Sequence, residues 1–252
     1  MMHSPKMFPV PLLHLEQTDS TNHYLKTICD ESSVTELTTV VADYQTSGRG
    51  QRGNSWESEV GKNLMFSFVL YPTFLEARRQ FLLSQLISLA IKEELDRYAE
   101  GFSIKWPNDI YWHEQKIAGI LIEHDLTGCC LGRSIAGIGL NVNQTVFHST
   151  APNPVSLYQI TRQEHNCLAL LSTIMKRIQT EYLSVQNGEE ANIADRYRAS
   201  LFRGKGMHRY EDLHGEFMAE IIHIEPEGIL VLQDDKGQRR RYAFKEVKYH
   251  LL

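Results

Sequence analysis

The residues best equipped for chemistry fall in four short segments. The first is T-S-G-R-G-Q-R-G-N-S-W, residues 46–56, which directly follows an apolar run ending in A-D-Y-Q. Gly48, Gly50 and Gly53 free the backbone to take positive φ and approach a ligand closely, while Arg49 and Arg52 offer forked donors for phosphate or carboxylate. That composition reads either as an anion cradle or as an exposed surface loop. It is no P-loop, because no G-K-[ST] follows at the required interval. Gly48, Gly50 and Gly53 do match G-x-G-x-x-G, but a dinucleotide site needs a helix opening there. Asn54 to Gly61 carry no helical period, so that reading is rejected.

The second segment is S-I-K-W-P-N-D-I-Y-W-H-E-Q-K-I-A-G-I-L-I-E-H, residues 103–124. Pro107, Asn108 and Asp109 favour a tight turn, and Lys105 and Lys116 flank it on strands expected to pair as a hairpin. Two ammonium groups would then face one pocket; the alternative is an ordinary hairpin with solvated lysines and a core Trp106. The third, I-A-G-I-G-L-N-V-N-Q at 135–144, alternates glycine within a strand, which weakens packing and suggests that something lies against Gly137 and Gly139. Close crossing by another protein element would explain the glycines equally. The fourth, Q-T-D-S-T-N-H-Y-L-K at 17–26, places Ser20, Thr21 and Asn22 at a helix start. They read most simply as caps, with a pocket at the helix N-terminus as the sharper alternative.

Other features carry less. The eleven histidines never form a metal-ligand spacing, so His124 beside Glu123 reads as structural. No G-x-S-x-G elbow is present, and Cys129-Cys130 falls in an expected turn. Arg239, Arg240 and Arg241 read as an exposed strand face.

The elements that must position these segments follow from periodicity. Residues 8–17 suggest an edge strand, and a helix follows from Thr21 to about Cys29. Strands are expected at Thr38–Ala42 and 62–71, then a core-facing helix from Leu75 to Tyr98. Runs at 102–106, 110–112, 118–124 and 133–142 read as a meander of paired strands. Helices are expected over Cys167–Val185, closed by Gly188, and over Ala191–Leu201. Beyond Gly204 and Gly206 short β runs at 217–224, 228–233 and 239–244 mark a small all-β domain, giving units 1–204 and 205–252.

A chain of 252 residues with 42% hydrophobic and 23% charged residues can bury a full core. Its net charge of -5 supplies no field to draw the whole molecule onto DNA or an anionic membrane. Four cysteines without a C-x-x-C pair fit reduced thiols in a reducing compartment. No secretory h-region or long apolar run occurs, so a cytoplasmic location is expected.

Taken in order, D-S-T-N, Y-Q-x-x-G-R-G-x-x-G, K-W-P-N-D, K-x-A-G-I-L-x-E and G-x-G-x-N resemble the biotin protein ligase family from Asp19 to Asn143. The resemblance implies an α+β fold: a mixed β-sheet flanked by helices, like the core of class II synthetases, followed by a small SH3-like β-barrel. It implies activation of biotin with ATP to biotinyl-5'-AMP, with Mg2+, and transfer to one lysine of a biotin carboxyl carrier protein. Ser20, Thr21 and Gln45 match residues contacting the ureido head, and Gly48, Arg49 and Gly50 match the loop closing over biotin and adenylate. Lys116 matches the lysine touching both biotin carboxylate and α-phosphate. Trp56, Lys105, Asn108, Asp109 and Asn141 fall where the family holds ATP and its metal, with Asp109 the metal candidate. Gly119, Gly137 and Leu140 match pocket walls. Lys116, Arg49 and Asp109 are thus the expected catalytic set, and Asp109 a candidate to help deprotonate the acceptor lysine.

One departure stands out: many members carry an arginine where Gln51 stands, so Arg52 substitutes for it or the adenylate is held more loosely. The rivals are a lipoate or octanoate ligase, a DNA-binding repressor, and an inactive biotin binder. The complete glycine-arginine loop with K-W-P-N-D favours biotin, and eighteen residues before Asp19 are too few for a helix-turn-helix module. An exposed sheet edge would allow a homodimer.

Overall fold

The computed structural model describes residues 9–50, 54–148 and 153–250. Among these described residues are twelve strands and five α-helices: β1 Leu12–Thr18, α1 Thr21–Glu31, β2 Thr39–Gln45, β3 Leu64–Leu70, α2 Phe81–Leu95, β4 Phe102–Lys105, β5 Asp109–Trp112, β6 Gln115–Thr127, β7 Cys130–Leu140, α3 Leu157–Thr161, α4 Cys167–Gln186, α5 Ala191–Ala199, β8 His208–Asp212, β9 Gly215–Ile224, β10 Leu230–Asp234, β11 Arg239–Tyr242 and β12 Lys248–Tyr249.

Seven strands form one sheet in the order β1-β2-β3-β7-β6-β5-β4. Only β1 and β2 run parallel in this sheet; the other neighbours are antiparallel, as the short turns from β4 through β7 require for those strands. Every residue of β3 is buried, because helices cover one face of the sheet and α1 the other. The expected edge strand at 8–17 is β1, and the expected meander is β4 to β7. Among the described residues no helix is long and apolar enough to cross a membrane.

The second sheet, in the order β11-β10-β9-β8-β12, follows α5. One apolar core runs through both sheets, joining Ile104, Trp106 and Leu201 to Tyr210, Leu230, Val247 and Tyr249. Trp106 donates its indole N–H to the Gly228 carbonyl at 3.0 Å and meets the Phe244 ring edge-on at 6.2 Å. The observed architecture is therefore a mixed sheet flanked by helices plus an antiparallel second sheet.

Several local expectations need correction. α2 starts at Phe81, not Leu75, because the backbone before it is bound to the β6–β7 tip: Leu131 N–H donates to Leu75 O and Ala77 N–H to Cys129 O, both at 2.9 Å. α3 went unread, although Ser156 and Gln159 form the capping box that opens it. Lys105 and Lys116 do not sit on paired strands: Lys105 pairs with Asp109, while Lys116 pairs with Tyr111 across the other edge of β5. Arg240 is no member of a solvated face. It reaches Asp234 at 2.9 Å and Asp212 at 3.2 Å, with its guanidinium 4.2 Å from the Phe217 ring centre.

Candidate functional site

Along β7 the glycines alternate with apolar residues, so Gly137 and Gly139 share one face while Ile138 and Leu140 turn to the other. Gly119 lies directly across from Gly139 on β6. A methyl added at Gly139 would come within 2.6 Å of Trp56 Nε1, and one at Gly119 within 3.1 Å of Trp56 Cζ3. One added at Gly137 would come within 2.8 Å of Asn22 Cγ. What lies against the glycine strand is thus the chain's own Trp56 and Asn22. The absent side chains of Gly119 and Gly139 make a flat floor on which the indole is laid, and that of Gly137 makes room for Asn22.

Over this floor opens a cavity of about 620 Å³, well within the range of small-molecule sites. Its lining brings together Ser20, Thr21, Gln45, Arg49, Gly50, Trp56, Lys105, Asp109, Lys116, Gly119, Gly137 and Asn141, all singled out from sequence. Arg52, Gln51 and Gly53 lie outside the described residues. Three other candidates stand off the cavity. Gly48 serves the loop: a Cβ there would come 2.6 Å from the Trp56 carbonyl, whose own N–H donates to Gly48 O at 2.9 Å. Asn108 is buried behind the wall with its amide 3.4 Å from Ser84 Oγ, and Leu140 belongs to the apolar core. Leu140, expected in the pocket wall, and Asn108, expected where ATP is held, thus stand behind the lining residues.

One end of the cavity is neutral and polar. Ser20 occupies the N-cap position of α1 but makes no side-chain cap, so the simple capping expectation fails. Thr21 instead gives its backbone N–H, at 2.7 Å, and its hydroxyl, at 3.1 Å, to Gln45 Oε1. Ser67 Oγ lies 2.7 Å from Thr21 Oγ1 and 2.6 Å from Asn22 Oδ1, and the Asn22 amide donates to Glu123 Oε2 at 2.9 Å. Glu123 Oε1 in turn accepts from Arg49 at 3.1 Å. This chain of contacts runs from buried Ser67 to the lip of the loop. Glu123 was quoted in sequence as part of a motif without a role; the structure makes it the anchor of Arg49.

The other end is cationic. Lys116 Nζ sits 2.7 Å from Asp109 Oδ2 and 5.9 Å from the Trp56 ring centre. Lys105 donates to the Tyr111 hydroxyl at 3.2 Å, and its ammonium lies 5.3 Å from the ring of Tyr249, brought from the second sheet. Burial holds the Lys105 ammonium below the ordinary lysine value, with Asp109 pulling the other way and Lys116 adding to the depression. Burial likewise drives the Tyr111 phenol well up, so it stays a neutral partner. Trp56 Nε1 is buried against the Gly139 backbone without an acceptor among the described residues. Asn141 fixes the wall by giving its amide to Val155 O at 3.1 Å.

Sequence reasoning missed Tyr111, Glu57, Phe147, Phe244 and Lys245 among the lining residues. Tyr111 had a signal, since it lies between the two lysines in the chosen segment. Phe244 and Lys245 had none: the fold alone brings the β11–β12 turn to this cavity.

For a metal, Asp109 and Glu57 are the carboxylates in the lining, and among the described residues no group of three or more His, Cys, Asp or Glu side chains could cage an ion. With oxygen donors this sparse, an ion here would have to take most of its ligands from outside the protein.

The chain is similar to several known proteins. A biotin protein ligase from Aquifex aeolicus, solved in complex with biotin and ATP, superimposes with a TM-score of 0.78 at 27% identity, covering 95% of this chain and 99% of that one. The bifunctional ligase/repressor BirA of Bacillus subtilis is 29% identical over 237 residues, which is 91% of this chain and 70% of that protein. The biotin--[acetyl-CoA-carboxylase] ligase of Mycobacterium tuberculosis is 26% identical over 190 residues, 73% of this chain and 68% of that one. Residues 14–141, which hold the glycine floor, the loop and both lysines, match the Biotin/lipoate A/B protein ligase family, and the chain belongs to it.

Proposed function

We propose that the protein is an ATP-dependent biotin protein ligase. The observation that carries this reading is a single cavity with a neutral hydrogen-bonding end at Ser20, Thr21 and Gln45, a cationic end at Lys105 and Lys116, and Arg49 at its lip. A ureido ring has one carbonyl acceptor and two N–H donors, which the hydroxyls and amide at the first end complement. A lipoyl or octanoyl chain carries no such set of donors and acceptors and would gain none of these hydrogen bonds, which is a strong source of discrimination.

In the first step a biotin carboxylate oxygen attacks the α-phosphorus of ATP; the new O–P bond forms as the α–β bridge breaks, and pyrophosphate leaves. Lys116 is assigned to the charge growing on the α-phosphate, and Arg49 and Gly50 to the closing loop, joined there by Arg52. Lys105 is assigned to the phosphates, while Trp56 and Asn141 wall the nucleotide side and Gly119 and Gly137 floor it. Mg2+, held by Asp109 and the phosphates, would shield negative charge.

In the second step the amine of a carrier lysine attacks the acyl carbon, the amide bond forms and AMP departs with the bridging oxygen. The amine must first lose a proton, and Asp109 is the lining carboxylate assigned to accept it, once Lys116 has turned to phosphate. The carrier is a biotin carboxyl carrier protein, and the open edge of β1 offers a strand for pairing with a second copy.

The test is ATP-pyrophosphate exchange with biotin, lipoate and octanoate offered separately in the presence of magnesium. Exchange with biotin alone is expected. Exchange only with lipoate or octanoate would move the chain elsewhere in its family, and none would leave an inactive binder.

A further inference from the structure

The turn between β11 and β12 is closed on itself. Glu246 N–H donates to the Ala243 carbonyl at 3.1 Å, and the Glu246 carboxylate accepts from Ala243 N–H at 2.7 Å. Within it Lys245 holds φ at 73°, in the left-handed region where a side chain is strained and glycine is at ease. A non-glycine residue kept there calls for a use of its side chain. That side chain is exposed at the mouth of the cavity, and together with Phe244 it brings the second sheet into the lining. The turn is not loosely placed, because Phe244 packs edge-on against Trp106, immediately before the Pro107-Asn108-Asp109 turn.

The charge of the lining points the same way. Arg49, Lys105, Lys116 and Lys245 line the cavity with the carboxylates Asp109 and Glu57, and Glu123 stands behind Arg49, although the whole chain carries a net charge of -5. A surplus of cations gathered against the overall charge suits a compact polyanion. A carrier protein would meet the outer surface instead, and biotin brings a single carboxylate that Lys116 and Arg49 already serve.

We propose that Lys245 binds the β- and γ-phosphates of ATP, and the pyrophosphate that leaves, so that the second sheet supplies part of the nucleotide site. The inference rests on the ligase reading, with Lys245 added as a binding residue at the phosphate tail. Neither the strain nor the lining position alone would suffice; together they give a cation carried at structural cost into the lining that also holds Lys105 and Lys116.

The experiment uses the full chain and Lys245→Gly. Glycine removes the ammonium and relieves the φ strain, so the variant should melt no lower than the parent. Titration with ATP, pyrophosphate and AMP, each followed calorimetrically, reads the site without relying on the acyl substrate. Affinity for ATP and pyrophosphate is expected to fall about tenfold, the loss of one charge-assisted phosphate contact, while AMP binding holds. Lys245→Arg should restore most of it. Equal weakening of ATP and AMP, no change in either, or a change confined to the KM for carrier protein would overturn the proposal. A parent enzyme that binds ATP but shows no biotin-dependent exchange would sink the ligase reading and leave the Lys245 result standing.

Discussion

Gly139→Ala is the most incisive change the site offers, because the new methyl has a rigid target. It would stand 2.6 Å from Trp56 Nε1 and 2.7 Å from Cδ2, where ordinary contact begins at 3.4 Å. The indole has to retreat by about 0.8 Å or more, and a ring cannot fold away as a lysine tail can. Misplacing a binding group by about 1 Å can cost about a hundredfold in rate, so kcat/KM for ATP should fall by tens to a hundredfold. The fold should tolerate the change, since alanine within a strand gains about 0.5–1 kcal/mol over glycine and offsets part of the lost packing. Gly119→Ala is the graded control: its methyl meets Trp56 at 3.1 Å and the flexible Lys116 ammonium at 3.3 Å, so its loss should be several times smaller. Steady-state exchange kinetics at varied ATP, beside thermal melts, decide the matter. Wild-type kinetics in Gly139→Ala, or a heavier loss in Gly119→Ala, would refute the account of Trp56 as a wall laid on a glycine floor.

Three further outcomes are expected. Lys116→Ala should slow adenylate formation by about 10²–10³, yet melt within a few degrees of the parent because its pair with Asp109 is partly solvated and contributes about 0–1 kcal/mol; unchanged exchange would remove Lys116 from the chemistry. The Lys105 ammonium, depressed below 10.5 by burial, should lose its proton early in the alkaline range, raising the KM for ATP there as the cation disappears. Lys105→Arg keeps the charge and should flatten that limb, and a KM profile identical to the parent's would clear Lys105 of responsibility. Glu123→Gln weakens the hold on Arg49, an exposed pair at 3.1 Å, and should raise free biotinyl-adenylate in solution about two- to fivefold; no rise would separate that ion pair from retention.

The chemistry-bearing segments were legible because each is local: a glycine-arginine loop after a strand, a turn between lysines, a strand with alternating glycines. What stayed hidden was set by pairing. That Lys105 and Lys116 lie on opposite sides of the four-residue β5 depends on register, which no local spacing fixes. β12 has two residues and shows no period, so the turn before it could not be placed at the cavity. Arg240 looked solvated because Asp212 and Asp234 approach it from other strands. Ser156 and Gln159, by contrast, carried a readable capping signal for α3 that the search for long helices passed over.

The line of contacts from Gln45 through Thr21, Ser67, Asn22 and Glu123 to Arg49 has a thermodynamic consequence. A ligand head that competes for Thr21 or Gln45 changes what Asn22 can offer Glu123, and so what Glu123 can offer the loop. Coupling of this kind is reciprocal: whatever free energy the deep ligand spends in ordering the lip, the ordered lip returns as tighter holding of the deep ligand. Retention of a reactive intermediate is then decided partly at the end of the molecule that does not react.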